Sequence, residues 1–312
     1  MQFEKPLIEL EKKIEEIRAF STEKNIDMSE EILRLQAKAD VLKERIYKNL
    51  TPLQKVQVAR HPKRPTFLEY VELIFDDFIE LHGDRLFKDD PALVGGLAFL
   101  NGIPVTVLGQ QKGRDTKENI ARNFGSPHPE GYRKAMRLMK QAERFGRPVI
   151  TLVDVAGAYP GIEAEERGQG EAVAHSIMEM AGLKTPIIVV ITGEGGSGGA
   201  LAIAVGDRVL MLEHAYYSVI TPEGCASILW KDANEAPKAA EVLRLTAENL
   251  KEMKVIDEII LEPLGGIHRD KVQGAELLKE ALVRNLQEIL AVPGRDLLRL
   301  RYDKFKKIGA YS

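Results

Sequence analysis

The sequence predicts an α/β fold: a mostly parallel β-sheet with helical crossovers, preceded by an N-terminal helical hairpin. Three observations carry this. The first fifty residues hold apolar positions at helical spacing on otherwise charged segments. Beyond Thr66, short strand-type apolar runs alternate with helical ones. Two of those strands run straight into glycine-rich loops, at the strand ends where ligands of α/β proteins gather.

Taken in order, Leu10, Ile14 and Ile17 form one stripe, and Ile32, Leu35, Ala39, Leu42 and Ile46 form another. Asp27 and Ser29 between them are the expected caps of the second helix. Residues 51–66, with Pro52, Pro62 and Pro65 and the basic Arg60, His61, Lys63 and Arg64, read as a solvated linker. Phe67–Leu81 has helical period. Leu97–Leu100 and Ile103–Leu108 flank Asn101-Gly102, a hairpin signal, and Pro104 suggests an edge strand or a bulge. Tyr132–Phe145 reads as a helix closed by Gly146. Val149–Val153 and Ile187–Ile191 are buried-type strands, with a helix over Glu163–Gly182 between them. Short strands follow at Val209–Leu212 and Ser218–Ile220, then helices at Ala236–Leu250 and Lys271–Leu290. The basic tail, Arg295–Lys307, is an amphipathic helix expected to pack on a partner subunit. The natural division is residues 1–60, arm and linker, and 61–312, the α/β body.

Composition narrows the function. A net charge of -3 leaves no overall basic field for nucleic acid or an anionic membrane. Cys225 is the single cysteine, which excludes an internal disulfide and a multi-cysteine zinc site and fits a reducing, cytoplasmic setting. Met1–Pro6 has no apolar signal-peptide core, and apolar runs such as Ala200–Val205 are too short to span a bilayer. His61, His82, His128, His175, His214 and His268 make no close-spaced pair, so no metal is expected in this chain.

The densest signal is Gly193-Glu194-Gly195-Gly196-Ser197-Gly198-Gly199-Ala200, directly after a buried strand. Gly193, Gly195 and Gly198 fit a dinucleotide fingerprint, with Glu213 at the ribose distance, but only about two helical turns fit before Gly206-Asp207. Gly195-x-Ser197-x-Gly199 fits a nucleophile elbow, with Asp207 and His214 following. A P-loop fails because Gly199 stands where lysine is required. The fourth reading is an oxyanion hole made by the backbone N–H groups of Gly198 and Gly199, each donor being worth about 3 kcal/mol. The second loop, Asp154 to Gly161, offers Gly157, Ala158 and Tyr159 as a pocket wall. Lys112, Arg114, Arg133 and Lys134 either meet anionic substrate groups or form ion pairs; Cys225 and Trp230 read as packed residues.

At these loops the chain closely resembles the carboxyltransferase alpha subunits of the multi-subunit acetyl-CoA carboxylases of bacteria and plastids. The likeness is carried by Gln111-Lys112-Gly113-Arg114, Arg122-Asn123-Phe124-Gly125, Pro129 to Ala135, Gly157 to Gly161, Glu165 to Gln169, Gly193 to Ala202, Ser218 to Trp230 and Glu262 to Gly266. It extends over almost the whole chain. It implies a crotonase-like spiral of ββα units and transfer of a carboxyl group from N-carboxybiotin to acetyl-CoA. The product would be malonyl-CoA, at the first committed step of fatty acid synthesis. It implies a beta subunit of the same fold bearing a zinc ribbon, in a heterotetramer of two alpha and two beta subunits active only together. A biotin carboxyl carrier protein and a biotin carboxylase would complete the system. On the residues here, Gly198 and Gly199 would face the ureido oxygen of biotin. Gly157, Ala158, Tyr159, Gly196, Ser197, Lys112, Arg114 and Arg133 would line the substrate side. Biotin itself would serve as the base, so no protein acid–base pair is needed. The family's Asp-Thr-Pro-Gly is replaced here by Asp154-Val155-Ala156-Gly157, which removes a conformational lock from the loop. The alternatives are a self-sufficient crotonase-type hydratase or decarboxylase, a serine hydrolase using Ser197, and a non-catalytic scaffold.

Overall fold

The computed structural model describes residues 1–309. The arm forms as the stripes predict. α1 (Lys5–Lys24) and α2 (Ser29–Tyr47) close on Leu7, Ile14, Leu35 and Ala39, a cluster separate from the main core. Burying such leucine and isoleucine side chains contributes about 1.5–3 kcal/mol each. Of the two expected caps, Asp27 is the one engaged: its Oδ1 accepts the Ser29 N–H at 2.9 Å.

The expected linker is partly a helix. α3 (Pro52–Ala59) starts on a capping box, in which Thr51 and Gln54 satisfy each other's backbone N–H, with Pro52 in the first turn. Its Val56 and Val58 are fully buried. Phe67–Leu81 is not one helix either. α4 (Phe67–Ile74) stops where Phe75 turns extended, and β1 (Asp76–Glu80) runs on as an edge strand.

The hairpin is as predicted. β2 (Leu93–Leu100) and β3 (Ile103–Gln110) flank Asn101 and Gly102, at φ 50° and 78°. Yet β3 is an interior strand and its register across Pro104 is unbroken. Leu100 faces Ile103 beside the two-residue turn, so Pro104 falls on the alternate pair, whose N–H positions point away from β2. On that other side pairing with β4 (Val149–Val155) begins only at Thr106, so no ladder bond is lost.

α5 (Thr116–Ala121) and α6 (Pro129–Arg144) lie between β3 and β4, and α6 ends at Gly146 with φ 64°. The expected helix Glu163–Gly182 is broken into α7 (Ile162–Glu166) and α8 (Gln169–Gly182) by Gly168 at φ 83°. β5 (Ile187–Gly196) is buried at every residue and passes directly into the single turn of α9 (Ser197–Leu201). β6 (Arg208–Leu212) follows, then β7 (Tyr216–Ser218), two residues earlier than expected. α10 (Pro222–Leu229) was not anticipated, and Ala236–Leu250 is split at Arg244, φ 49°, into α11 (Ala236–Leu243) and α12 (Ala247–Glu252). β8 (Glu258–Ile260) adds an unforeseen strand; α13 (Lys271–Leu290) has the expected bounds.

The strands run β1-β2-β3-β4-β5-β6-β8, with β7 on the end of β5. The first three are antiparallel and the rest parallel. The main core lies between this sheet and α4, α6, α8 and α13. The tail helix α14 (Gly294–Lys306) packs on its own chain, not solely outward as expected. Its Arg301, 2 % exposed, donates to both Asp207 carboxylate oxygens and to the carbonyls of Met180, Leu183 and Thr185, which uses all five guanidinium N–H groups. No helix among the described residues is long and apolar enough to cross a membrane.

Candidate active site

β4 and β5 are parallel neighbours, so both glycine loops leave the same end of the sheet and stack on each other. The contact is backbone on backbone. A Cβ at Gly196 would lie 1.9 Å from the Ala156 carbonyl oxygen, and one at Gly199 would lie 2.3 Å from the Ala158 nitrogen. Gly196 and Gly199 are therefore required by packing. Gly198 is different: it is half-buried, and a Cβ there would meet only Val173 Cγ1, at 3.2 Å. Gly157 has nothing within 4 Å of that position.

Ser197, exposed and at φ 55°, makes the strand-to-helix turn in a conformation that favours glycine. Gly198 and Gly199 lie in the first turn of α9, so their N–H groups have no intrahelical acceptor. Gly198 opens on a cavity of about 640 Å³ that it and Ser197 share with Leu201, Val209, Tyr217 and Phe305, while Gly199 lies buried behind it against Gly157 and Ala158. An apolar cavity next to a pair of unsatisfied backbone donors can hold an apolar ring whose polar oxygen meets those donors. On the second loop, Tyr159 is held by ring stacking on His128, with centroids 4.1 Å apart, and its backbone N–H donates to the Pro127 carbonyl.

Beneath the loops lies a buried charge network. Lys112 Nζ donates to Asp154 Oδ1 at 2.6 Å and to Glu194 Oε1 at 2.9 Å, so one ammonium ties the roots of both loops. Glu194 also accepts from Arg60 Nε and from the Tyr216 hydroxyl, each at 2.7 Å. Burial alone would push the Glu194 carboxyl up, but Lys112 and Arg60 outweigh it and hold its pKa at about 2. Arg60 reaches on to Glu223 of α10 at 2.7 Å. Nearby, Arg64 pairs with both oxygens of buried Glu262. Of the basic cluster expected to be solvated, Arg64 is thus buried and Arg60 is tied into the network, while Lys63 is exposed.

The expected site residues fall into two groups. Gly157, Ala158, Gly196, Ser197, Gly198 and Gly199 come together at the paired loops, with Lys112 below them and Tyr159 on the loop's far arm. Arg114 and Arg133 do not join them. Arg114 pairs with Glu69 and donates to the Pro62 carbonyl at 2.7 Å. Arg133 binds Asp84, Glu130 and the Arg167 carbonyl, each at 3.0 Å, beside a separate cavity between α6 and α8. Sequence reasoning missed Arg60, Gln110, Asp154 and Glu194. A carboxylate inside a glycine loop at the end of a buried strand was the available signal for Glu194.

Two alternatives lose their geometry. One turn of helix is too short for a dinucleotide fingerprint, and Glu213 accepts the Glu262 N–H instead. His214 is buried against Tyr47, and Ser197 has no imidazole partner among the described residues, so no hydrolase triad forms. Glu4, His61 and His268 place potential ligand atoms within 4.8 Å of one another where the arm meets the body, though Glu4 is already hydrogen-bonded to Tyr47 and Arg269.

Comparison with known proteins gives the family of the chain. Residues 1–309 match the family described as acetyl co-enzyme A carboxylase carboxyltransferase-like. The chain is 59% identical to the acetyl-coenzyme A carboxylase carboxyl transferase subunit alpha of Geobacter metallireducens, covering 100% of this chain and 98% of that one. It is 57% identical to the same subunit of Halalkalibacterium halodurans, covering 100% and 96%. Among solved structures it resembles transcarboxylase 12S, with TM-score 0.55 and 19% identity over 73% of this chain and 45% of that one. It also resembles the Pseudomonas malonate decarboxylase MdcD-MdcE hetero-dimer, with TM-score 0.56 and 20% identity over 70% and 91%. These structures share the crotonase-like α/β fold expected from the sequence. The chain is a carboxyltransferase and belongs to the acetyl-CoA carboxylase carboxyltransferase family, among its alpha subunits.

Proposed function

We propose that this chain is the biotin-side half of a carboxyltransferase that moves a carboxyl group from N-carboxybiotin, carried on a separate protein, to acetyl-CoA, giving malonyl-CoA. The observation that carries this is the first turn of α9, whose Gly198 lines an apolar cavity and whose Gly199 packs on the second glycine loop. The residues fit the group: the cavity is lined mainly by apolar side chains, and Gly198 has no Cβ to block a carbonyl oxygen. Bound there, carboxybiotin supplies the carboxyl group and a ureido nitrogen basic enough to take a proton from the acetyl methyl group. Leu201, Val209 and Phe305 exclude water from the ring, and the two N–H groups stabilise charge on the ureido oxygen. Gly157, Ala158 and Tyr159, on the loop that packs against Gly199, are assigned to the adjoining substrate side. Lys112 holds the two loops together, while Arg114 and Arg133 are committed to ion pairs and serve the fold.

The other half of the site is assigned to a beta subunit of the same fold, which brings the acyl-CoA and a zinc ribbon. The assembly is two alpha and two beta subunits in the cytoplasm, served by a biotin carboxyl carrier protein and a biotin carboxylase. Residues 1–60 act as its packing arm. The test is carboxyl exchange between malonyl-CoA and a soluble biotin derivative, with the chain alone and with its partner subunit. Exchange only with the partner supports a shared site. Exchange by the chain alone removes the partner claim, and Gly198→Val leaving exchange intact in an assembled complex removes the Gly198 assignment.

A further inference from the structure

Gly199 sits in the only turn of α9, yet its carbonyl oxygen receives no backbone donor among the described residues. The Ala202 N–H goes back to Gly198 and the Ile203 N–H to Ala200, which passes Gly199 over. Two side chains fill the gap. Gln110 Nε2 and the Tyr132 hydroxyl each donate to the Gly199 carbonyl oxygen at 3.3 Å. Gln110 is the last residue of β3 and Tyr132 lies in α6, and both are buried. The other end of the same amide reaches the second loop: Gln110 Oε1 accepts the Asp154 N–H at 3.2 Å. A single planar amide therefore spans the roots of both glycine loops. A buried carbonyl with two lone pairs and no helical partner can rotate with its peptide plane; two donors arriving from different elements stop that rotation.

We propose that Gln110, with Tyr132, is a positioning residue of the carboxyltransferase site, which fixes the Gly199–Ala200 peptide plane, and with it the backbone turn that presents the Gly198 and Gly199 N–H groups, and couples that turn to the loop that starts at Asp154. This rests on the assignment of the Gly198 and Gly199 N–H groups as the oxyanion hole. Neither side chain is assigned a contact with substrate; each acts through the Gly199 carbonyl, by stiffening the turn that carries the donors.

The experiment uses the full chain co-purified with its partner subunit, reading exchange between malonyl-CoA and a soluble biotin derivative. Gln110→Met keeps the length and removes both hydrogen bonds. Tyr132→Phe keeps the packing and removes one donor. Thr151→Val is the comparator: it deletes an equally buried bond, from Thr151 Oγ1 to the Ile203 carbonyl at 2.8 Å, which does not touch either glycine loop. The expected result is a fall in kcat of about 10- to 100-fold for Gln110→Met and about 3- to 10-fold for Tyr132→Phe, on the scale of a misaimed catalytic donor, with the malonyl-CoA KM within about twofold. Thr151→Val should lower thermal stability while keeping kcat. A Tyr132→Phe enzyme with unchanged kcat overturns the proposal, and decides it even where Gln110→Met does not fold. Losses in Gln110→Met no larger than in Thr151→Val overturn it too, because they mark a purely structural role. Gly198→Val in the same complex separates the two readings. If it abolishes exchange while the Gln110 and Tyr132 variants stay active, the oxyanion hole stands and the positioning claim alone falls. If it leaves exchange intact, both fall.

Discussion

A methyl group added at Gly199 would sit 2.3 Å from a backbone nitrogen, whereas one at Gly198 meets only a valine side chain at 3.2 Å. Neighbouring glycines thus answer to different demands, one to packing and one to the cavity. Gly199→Ala should destabilise the protein by about 1–3 kcal/mol, the range for overpacking, seen as a lower urea midpoint. Gly198→Ala should keep its urea midpoint and lose carboxyl exchange at least tenfold, on the scale of one oxyanion donor. Equal midpoints for the two variants would contradict this division. Arg301 poses a sharper case. Arg301→Met takes the cation from the Asp207 carboxylate, which keeps only the Ile187 N–H, and removes the guanidinium donors from the carbonyls of Met180, Leu183 and Thr185 in the interior. Breaking a buried pair from one side costs about 3–5 kcal/mol. A loss of unfolding free energy in urea of less than about 1 kcal/mol would mean that α14 docks mainly through Leu297 and its apolar neighbours.

At the scale of elements, α3 carries Arg60 to the glycine loops, so its start bears on the site. Thr51→Ala removes the capping box at a cost of about 1 kcal/mol, and protease cleavage within residues 50–60 should rise measurably. An unchanged cleavage rate would show that burial of Val56 and Val58 alone holds the helix. The Thr51-Pro52-Leu53-Gln54 pattern is a capping-box signal, so α3 was legible; the three prolines around it read as linker and masked it. What is written in short range came through well. Asn101-Gly102 set the hairpin and its register, and the period of α13 set both its ends. What depends on partners far along the chain did not. β1 is largely exposed, and its only ladder partner is β2, so its own residues hold no clear period-two pattern. Gly168 and Arg244 break helices by adopting positive φ inside otherwise helical sequence. The glycine loops were legible as a place, because glycine after a buried strand has few other uses. The network of Arg60, Lys112, Asp154 and Glu194 was not, because it joins residues up to 134 positions apart.

Three carboxylates hold the whole molecule together at its joints. Glu4, held within the arm by Tyr47, joins arm to body through Arg269, Glu194 joins α3 to the glycine loops, and Glu262 joins the segment after α3 to the sheet. Burial acts to raise each pKa, but their hydrogen-bonded and cationic partners outweigh it and hold each at about 2, against an ordinary 4.5. For a carboxyl lowered on folding, the stabilisation is fully present above 4.5 and is lost as pH falls towards 2. His61 works in the same direction from a higher start. Burial, and then stacked His268, lower its pKa from 6.5 to about 4, so the unfolded chain binds that proton first and stability begins to decline below about 6.5. Urea midpoints measured from pH 7.5 to 3 should therefore slope gently at first and fall steeply below 4.5. The arm should go before the body. Its own core is four residues, and Glu4 and His61 both sit at its junction, whereas the body keeps a continuous apolar core. Limited proteolysis with an acid protease at pH 4 should cut within residues 1–50 while 67–290 stays intact. Simultaneous loss of both parts would show that the arm is as firmly bound as the sheet, and that the carboxylate joints do not set the order of acid unfolding.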